Sequence, residues 1–273
     1  MPELPEVEVS RLGLLPLVGR LLVSFTARRA DLRQPIPAGL DMRLCGSELA
    51  EIRRRGKYLL FHWPAAKGWL ILHLGMSGSL RLALPPFPEP GRHDHVDFVF
   101  PGMLLRFRDP RRFGLIAWQA GDDPLAHPLL AKLGMEPLSP EFTPEWLIRL
   151  VAGRKTPIKS IIMDARFLVG VGNIYAAESL YQAGISPFRE AGKIGEDKLA
   201  ALADAIVATL RESIAAGGSS LRDYVHSDGG AGSFQLQCAV YGREGLPCLR
   251  CGTEICRAPL AGRASFYCPD CQS

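Results

Sequence analysis

Four cysteines near the C-terminus restrict this chain more than any other feature. Cys248-x2-Cys251 is followed, after sixteen intervening residues, by Cys268-x2-Cys271. Two close thiol pairs around a hairpin-length insert have the spacing of a closed, tetrahedral structural zinc site, which stiffens a hairpin and performs no chemistry. In an oxidising compartment the same four residues would suit two disulfides. The odd total of seven cysteines, and the reducing compartment expected from an acidic first stretch without a long apolar core, favour the metal. Within the insert, strands near Glu254–Ala258 and Ala264–Tyr267 are predicted, with Leu260-Ala261-Gly262-Arg263 at the turn. Arg263 at that tip reads either as a phosphate ligand or as a solvated turn residue. Cys256 falls outside the pairing, and Cys45 and Cys238 are expected to be buried thiols.

The rest of the chain changes period once. From Leu21 to Trp118, short runs rich in β-branched, leucine and aromatic residues alternate with Gly and Pro. Strands are predicted at Leu21–Arg28, Leu49–Arg54, Tyr58–Trp63, Trp69–Leu74, Ser79–Leu84, His95–Phe100, Leu104–Arg108 and Leu115–Trp118. Many short strands in series imply a β-sandwich or barrel. Phe100-Pro101-Gly102-Met103 is a hairpin turn, and the proline-rich stretch from Pro85 to Pro90 is an exposed loop. After a connector from Gly121 to Gly134 the period becomes helical. Helices are expected from Thr143-Pro144 to Val151, from Pro157 to Met163, from Asn173 to Ala183 and from Leu199 to Ala215. Gly217 to Ser233, rich in Gly and Ser, is a loop suited to ordering on a ligand.

The chemistry-bearing stretches each admit two readings. Met1-Pro2-Glu3-Leu4-Pro5-Glu6 would expose a secondary amine at Pro2 once Met1 is removed. An α-amino group titrates near 7.7–8.0, so it can attack an electrophilic carbon and form a Schiff base. Glu3 beside it is a candidate acid or base. The same residues also suit the opening of a helix through Leu15, with Pro5 in the first turn and Glu6 and Glu8 at its positive end. Arg53-Arg54-Arg55-Gly56-Lys57 is either a phosphate strip or a protected strand edge. Asp109-Pro110-Arg111-Arg112-Phe113-Gly114 offers Phe113 as a wedge between bases, or simply a turn with a buried ring. His73-Leu74-Gly75-Met76-Ser77-Gly78 is a second glycine-flanked loop. Gly170-Val171-Gly172-Asn173 opens a helix that can cap itself or hold an anion. A net charge of +4 permits a nucleic-acid partner without demanding one. No apolar run approaches the roughly 18–20 residues of a membrane span, so a cytoplasmic protein without a membrane partner is expected.

In register, these stretches resemble one family, the formamidopyrimidine-DNA glycosylases, within the wider group that includes endonuclease VIII. The likeness runs from Pro2 to Gln272. It is carried by PELPEVE, RRRGKYLL, HLGMSGSL, HDHVD, DPRRFG, VGVGNIYA, YGREGLPC and GRASFYCPDCQ. It implies a two-domain α+β fold: an N-terminal β-sandwich domain with an N-terminal helix over residues 1–120, a linker over 121–134, a helix–two-turn–helix domain over 135–234, and a zinc-finger β-hairpin over 235–273. It also implies a monomeric glycosylase and lyase of base-excision repair, acting on double-stranded DNA that contains oxidised purines. Pro2, Glu3, Lys57 and Arg263 then become the expected catalytic residues. Met76, Arg111 and Phe113 are expected to fill the space of a flipped nucleotide, and His73, His93, Arg154, Asn173 and Tyr241 to contact DNA. The resemblance places a lesion loop at Gly218, Ser219, Ser220, Arg222 and Tyr224, and one structural zinc on Cys248, Cys251, Cys268 and Cys271. Leu4 and the complete Met76, Arg111, Phe113 set favour the purine branch over endonuclease VIII.

Overall fold

The computed structural model describes residues 1–218 and 238–273. Its internal contacts divide the chain into two units, Met1–Ala131 with Ala216–Ser233, and Lys132–Ala215 with Phe234–Ser273.

The first unit opens with helix α1, Leu4–Gly13. Glu3 is its N-cap and forms a reciprocal capping box with Glu6, whose Oε2 accepts the Glu3 N–H at 2.8 Å. The helix ends two residues before the expected Leu15, and Leu15–Leu17 form a 3-10 turn. Pro16 explains this, since its ring would collide with the carbonyl four residues back.

All eight expected strands are present: β1 Ser24–Ala27, β2 Glu51–Arg55, β3 Tyr58–Trp63, β4 Gly68–His73, β5 Ser79–Ala83, β6 Asp94–Phe100, β7 Met103–Arg108 and β8 Leu115–Ala120. They form two antiparallel sheets, ordered β1-β6-β7-β5 and β2-β3-β4-β8. β1 is shorter than predicted, and Leu21 keeps only an isolated bridge to Glu48. The sandwich core draws Phe61, Trp63, Leu72, Val96, Phe98, Phe107 and Ile116 from the two sheets and Val7 from α1. Each such fully buried side chain contributes about 1.5–3 kcal/mol. A short helix α2, Leu40–Leu44, escapes sequence prediction because five residues carry too little periodicity; Leu40 and Leu44 both enter the core. Cys45, directly after it, is half-buried rather than buried because it packs only at the core's margin, whereas Cys238 is buried.

The second unit holds α3 Pro144–Val151, α4 Ile158–Ile162, α5 Asn173–Gln182 and α6 Glu196–Ala215. Thr143 caps α3 as expected, its Oγ1 accepting the Trp146 N–H at 3.2 Å. α6 starts three residues before the predicted Leu199, because Glu196 and Asp197 supply its first turn without belonging to the apolar stripe. The hairpin β9 Cys256–Leu260 and β10 Arg263–Tyr267 closes through Ala261 and Gly262 at φ 49° and 75°, the left-handed pair of a two-residue type I′ turn. β9 therefore begins two residues later than expected.

Candidate active site and nucleic-acid interface

In the first unit, Pro2, Glu3 and Glu6 are buried at the start of α1. The capping box thus realises the helix-opening reading on the same residues proposed for chemistry. Farther along α1, Glu8 Oε2 accepts from Arg54 Nε at 2.9 Å and Arg11 Nη1 donates to the Ile52 carbonyl at 3.4 Å. Residue numbers fall along the helix as they rise along β2. The N-terminal end of α1 is therefore directed toward the Gly56–Lys57 turn that follows β2. Burial would raise the Glu8 pKa, but the Arg11 and Arg54 guanidiniums outweigh it and hold the carboxyl below the usual range.

Lys57 occupies the second position of a two-residue turn whose first, Gly56, has φ 55°. The adjacent pair Tyr58 and His73 face each other across β3 and β4 with ring centroids 4.8 Å apart. His73 Nδ1 accepts the Gly75 N–H at 2.9 Å, which assigns the proton of the neutral ring to Nε2. Burial, with the positive charges of Lys57 and Arg33, depresses the His73 pKa to about 4. His73 is consequently a neutral N–H donor at physiological pH.

Beyond β4, Met76 is 38% exposed and Phe113 is 43% exposed. Their loops meet where Gly75 approaches the Phe113 backbone, so two large apolar side chains are presented to solvent from one place on the sandwich. The Arg111 guanidinium carbon lies 5.1 Å from the centre of the Phe113 ring. His93 is half-buried before β6, and its carbonyl accepts the Asp109 N–H at 3.0 Å.

The second unit gathers another set. Asn173 Nδ2 donates to the Ala264 carbonyl at 2.9 Å, and Lys159 Nζ donates to the same carbonyl at 3.1 Å and to Ser265 Oγ at 2.8 Å. The start of α5 and helix α4 thereby hold the hairpin strand next to Arg263, which is exposed. Arg154 lies over the Phe167 ring at 4.7 Å. Tyr241 is positioned through its backbone: the buried Glu178 carboxylate accepts N–H bonds from Ala239, Val240 and Tyr241 at 2.7, 3.0 and 2.8 Å. Lys159 and Glu178 are absent from the sequence-derived set. Their signal would have been a charged residue inside an otherwise apolar helical stretch.

Around the cysteines, the Cys248 and Cys271 sulphurs are 3.9 Å apart, Cys251 and Cys268 are 3.5 Å apart, and all four lie within 4.8 Å of one another. A tetrahedron with Zn–S bonds of about 2.3 Å has edges of about 3.8 Å, so the four sulphurs fit one zinc ion. The Arg250 and Cys271 amides, each directed at a cysteine sulphur at 3.4 Å, add the N–H···S bonds that favour thiolate ligands.

Of the expected lesion loop, Gly218 is described, and a Cβ there would stand 3.3 Å from Glu6 Oε1. Ser219, Ser220, Arg222 and Tyr224 lie outside the described residues.

A β-sandwich opening on a buried terminal segment, a helical unit and a hairpin beside four clustered cysteines define a two-unit α+β protein with a site fit for structural zinc. Family comparison is more specific. Residues 1–116 match the formamidopyrimidine-DNA glycosylase N-terminal domain, 133–225 its H2TH domain, and 245–273 the zinc finger found in FPG and IleRS. The chain is 52% identical over its full length to the whole formamidopyrimidine-DNA glycosylase of Dechloromonas aromatica. It is 53% identical over its full length to 99% of that of Aromatoleum aromaticum. The crystal structure of MutM (Fpg) from Thermus thermophilus superposes with a TM-score of 0.87 at 41% identity, covering 99% of this chain and 98% of that one. A Lactococcus lactis FPG mutant in complex with Fapy-dG containing DNA gives 0.91 at 35% identity over the whole of both chains. This chain belongs to the formamidopyrimidine-DNA glycosylase family. It is a DNA glycosylase and AP lyase of base-excision repair with one structural zinc site.

Proposed function

We propose that the enzyme removes oxidised purines, 8-oxoguanine and formamidopyrimidines, from duplex DNA through the Pro2 amine. The observation that carries this reading is the antiparallel run of α1 against β2, fixed by Glu8–Arg54 and Arg11–Ile52, which directs the buried Pro2 and Glu3 toward the Lys57 turn. The target carbon is unreachable in a stacked duplex, so the nucleotide is flipped out. Met76, Arg111 and Phe113 fill the gap, with Arg111 toward the orphaned cytosine and Phe113 wedging the stack. Pro2 nitrogen attacks the anomeric carbon, the base departs, and Glu3 protonates the sugar ring oxygen as the ring opens to an iminium. The iminium acidifies the neighbouring C–H bond, allowing successive loss of the two phosphates. Lys57 assists the first elimination and Arg263 the second. His73, His93, Arg154, Asn173 and Tyr241 contact the DNA backbone. Gly218, Ser219, Ser220, Arg222 and Tyr224 close on the lesion.

The protein acts as a cytoplasmic monomer on chromosomal DNA; among the described residues no helix is long and apolar enough to cross a membrane. The division into a catalytic domain over 1–120, a linker, a helical domain over 135–234 and a zinc finger over 235–273 belongs to the same proposal.

Duplexes carrying 8-oxoguanine opposite cytosine and matched duplexes carrying an oxidised pyrimidine test it. Preferential nicking of the first is expected. Preferential nicking of the second would assign the endonuclease VIII-like reading; a solved Lactococcus lactis relative is described in complex with oxidised pyrimidine containing DNA.

A further inference from the structure

Asp109 is completely buried, yet its carboxylate is satisfied by neutral donors. Ser77 Oγ donates to Oδ1 at 2.7 Å, the Arg111 N–H points at the same oxygen at 3.3 Å, and the Gly114 N–H donates to Oδ2 at 2.8 Å. Ser77 Oγ in turn accepts the Arg111 N–H at 3.1 Å. The backbone of Asp109 is held just as closely: its N–H donates to the His93 carbonyl at 3.0 Å, and its own carbonyl lies 2.8 Å from His95 Nε2. His95 is the extra residue of a β-bulge, since Asp94 pairs with Arg108 and Val96 with Phe107. That bulge aims the ring at Asp109. One side chain thus ties the loop carrying Met76 to the turn carrying Arg111 and Phe113. Arg112 adopts φ 57° in that turn, a conformation that a non-glycine residue keeps only when its surroundings impose it.

Stability alone is a poor reason for this arrangement. A buried carboxylate held by neutral donors carries a desolvation cost that a neutral side chain would avoid. A rigid coupling of the two loops is useful if their side chains must enter the duplex together.

We propose that Asp109 and Ser77 are positioning residues that lock the Met76 loop and the Arg111–Phe113 turn into one insertion unit, so that filling the void and reading the orphaned base occur as a single event. The proposal rests on the void-filling reading given above. It predicts energetic coupling between Met76 and Arg111, transmitted through the Asp109 carboxylate.

Asp109→Asn is the decisive substitution. Both carboxylate oxygens accept backbone N–H groups, so whichever becomes an amide nitrogen faces a donor it cannot accept. Excision of 8-oxoguanine opposite cytosine and opposite adenine is measured in single turnover. The backgrounds are wild type, Asp109→Asn and Ser77→Ala, each with and without Met76→Ala, Arg111→Ala and both. In the wild type, the combined loss for the Met76 and Arg111 substitutions is expected to depart from the product of the single losses by about fivefold. In the Asp109→Asn background that departure vanishes, the rate opposite cytosine falls about tenfold, and preference for cytosine over adenine falls with it. Ser77→Ala, which leaves the Gly114 bond in place, is expected to show the same changes at smaller size and covers the case of a misfolded Asp109→Asn. Lowered thermal stability with wild-type base preference and undiminished coupling in the variants that fold would overturn the proposal and leave Asp109 a purely structural residue. Wild-type protein that excises no lesion from any duplex would instead remove the underlying reading, and this proposal with it.

Discussion

Gly75 and Phe113 meet backbone to backbone. A Cβ added to Gly75 would lie 2.3 Å from the carbonyl carbon of Phe113 and 2.4 Å from the Gly114 nitrogen, and Gly75 sits at φ 68°. Both facts demand glycine, one for space and one for handedness. Gly75→Ala is therefore expected to push the two loops apart. The left-handed conformation alone costs about 1–2 kcal/mol, so a fall of several degrees in Tm and a loss of lesion excision exceeding the loss of overall DNA affinity are predicted. Unchanged excision by the variant would show that the contact is unimportant to function.

The depressed pKa of His73 has a definite sign. Its folded value of about 4 lies below the ordinary 6.5, so the unfolded chain takes up a proton that the folded chain refuses. The stability from a neutral His73 is fully present above about pH 6.5 and is lost as pH falls through 4. Urea unfolding at pH 7.5, 5.5 and 4.5 should show wild-type protein losing more stability than His73→Gln, by up to about 3 kcal/mol. Parallel losses in the two proteins would contradict the assignment.

Zinc is expected to hold the hairpin and not the sandwich. In Cys268→Ser, or after chelation, zinc stoichiometry should fall and DNA binding should be lost. The tryptophan emission should change little, because Trp63, Trp69 and Trp118 belong to the sandwich unit and only Trp146 to the other. Retained DNA affinity without metal would count against the hairpin's part in binding.

Glu178 offers a test of the second unit. Truncation to Ala leaves the N–H groups of Ala239, Val240 and Tyr241 without their acceptor; a buried one such as that of Val240 costs about 1–3 kcal/mol, and the two half-buried ones cost less. Glu178→Ala should unfold this unit at markedly lower denaturant, and Glu178→Gln, which keeps one acceptor oxygen, should fall between. Equal midpoints for the three proteins would remove Glu178 from the account.

What the sequence makes legible follows from the range of the interactions involved. Strand positions, the Thr143 cap and the four cysteines depend on residues close in sequence, and these can be read directly. The sandwich strands alternate or run apolar because each faces a core. The Asp109 hub cannot be read that way, since its partners Ser77 and His93 are 32 and 16 residues away. Lys159 is likewise invisible, as its acceptors are 105 and 106 residues distant. Pro2 and Glu3 stand between these cases. Their local pattern fits both a helix opening, which the capping box realises, and a nucleophilic amine, and the family resemblance is what favours the second reading.

The central claim is that the Pro2 amine forms the covalent bond, and borohydride trapping tests it most directly. Protein with Met1 removed is incubated with duplex DNA containing 8-oxoguanine opposite cytosine, reduced, digested and mapped by mass spectrometry. A single DNA adduct on the N-terminal peptide is predicted, abolished when any residue precedes Pro2. An adduct mapping to a lysine, or undiminished trapping by an N-terminally extended protein, would contradict it.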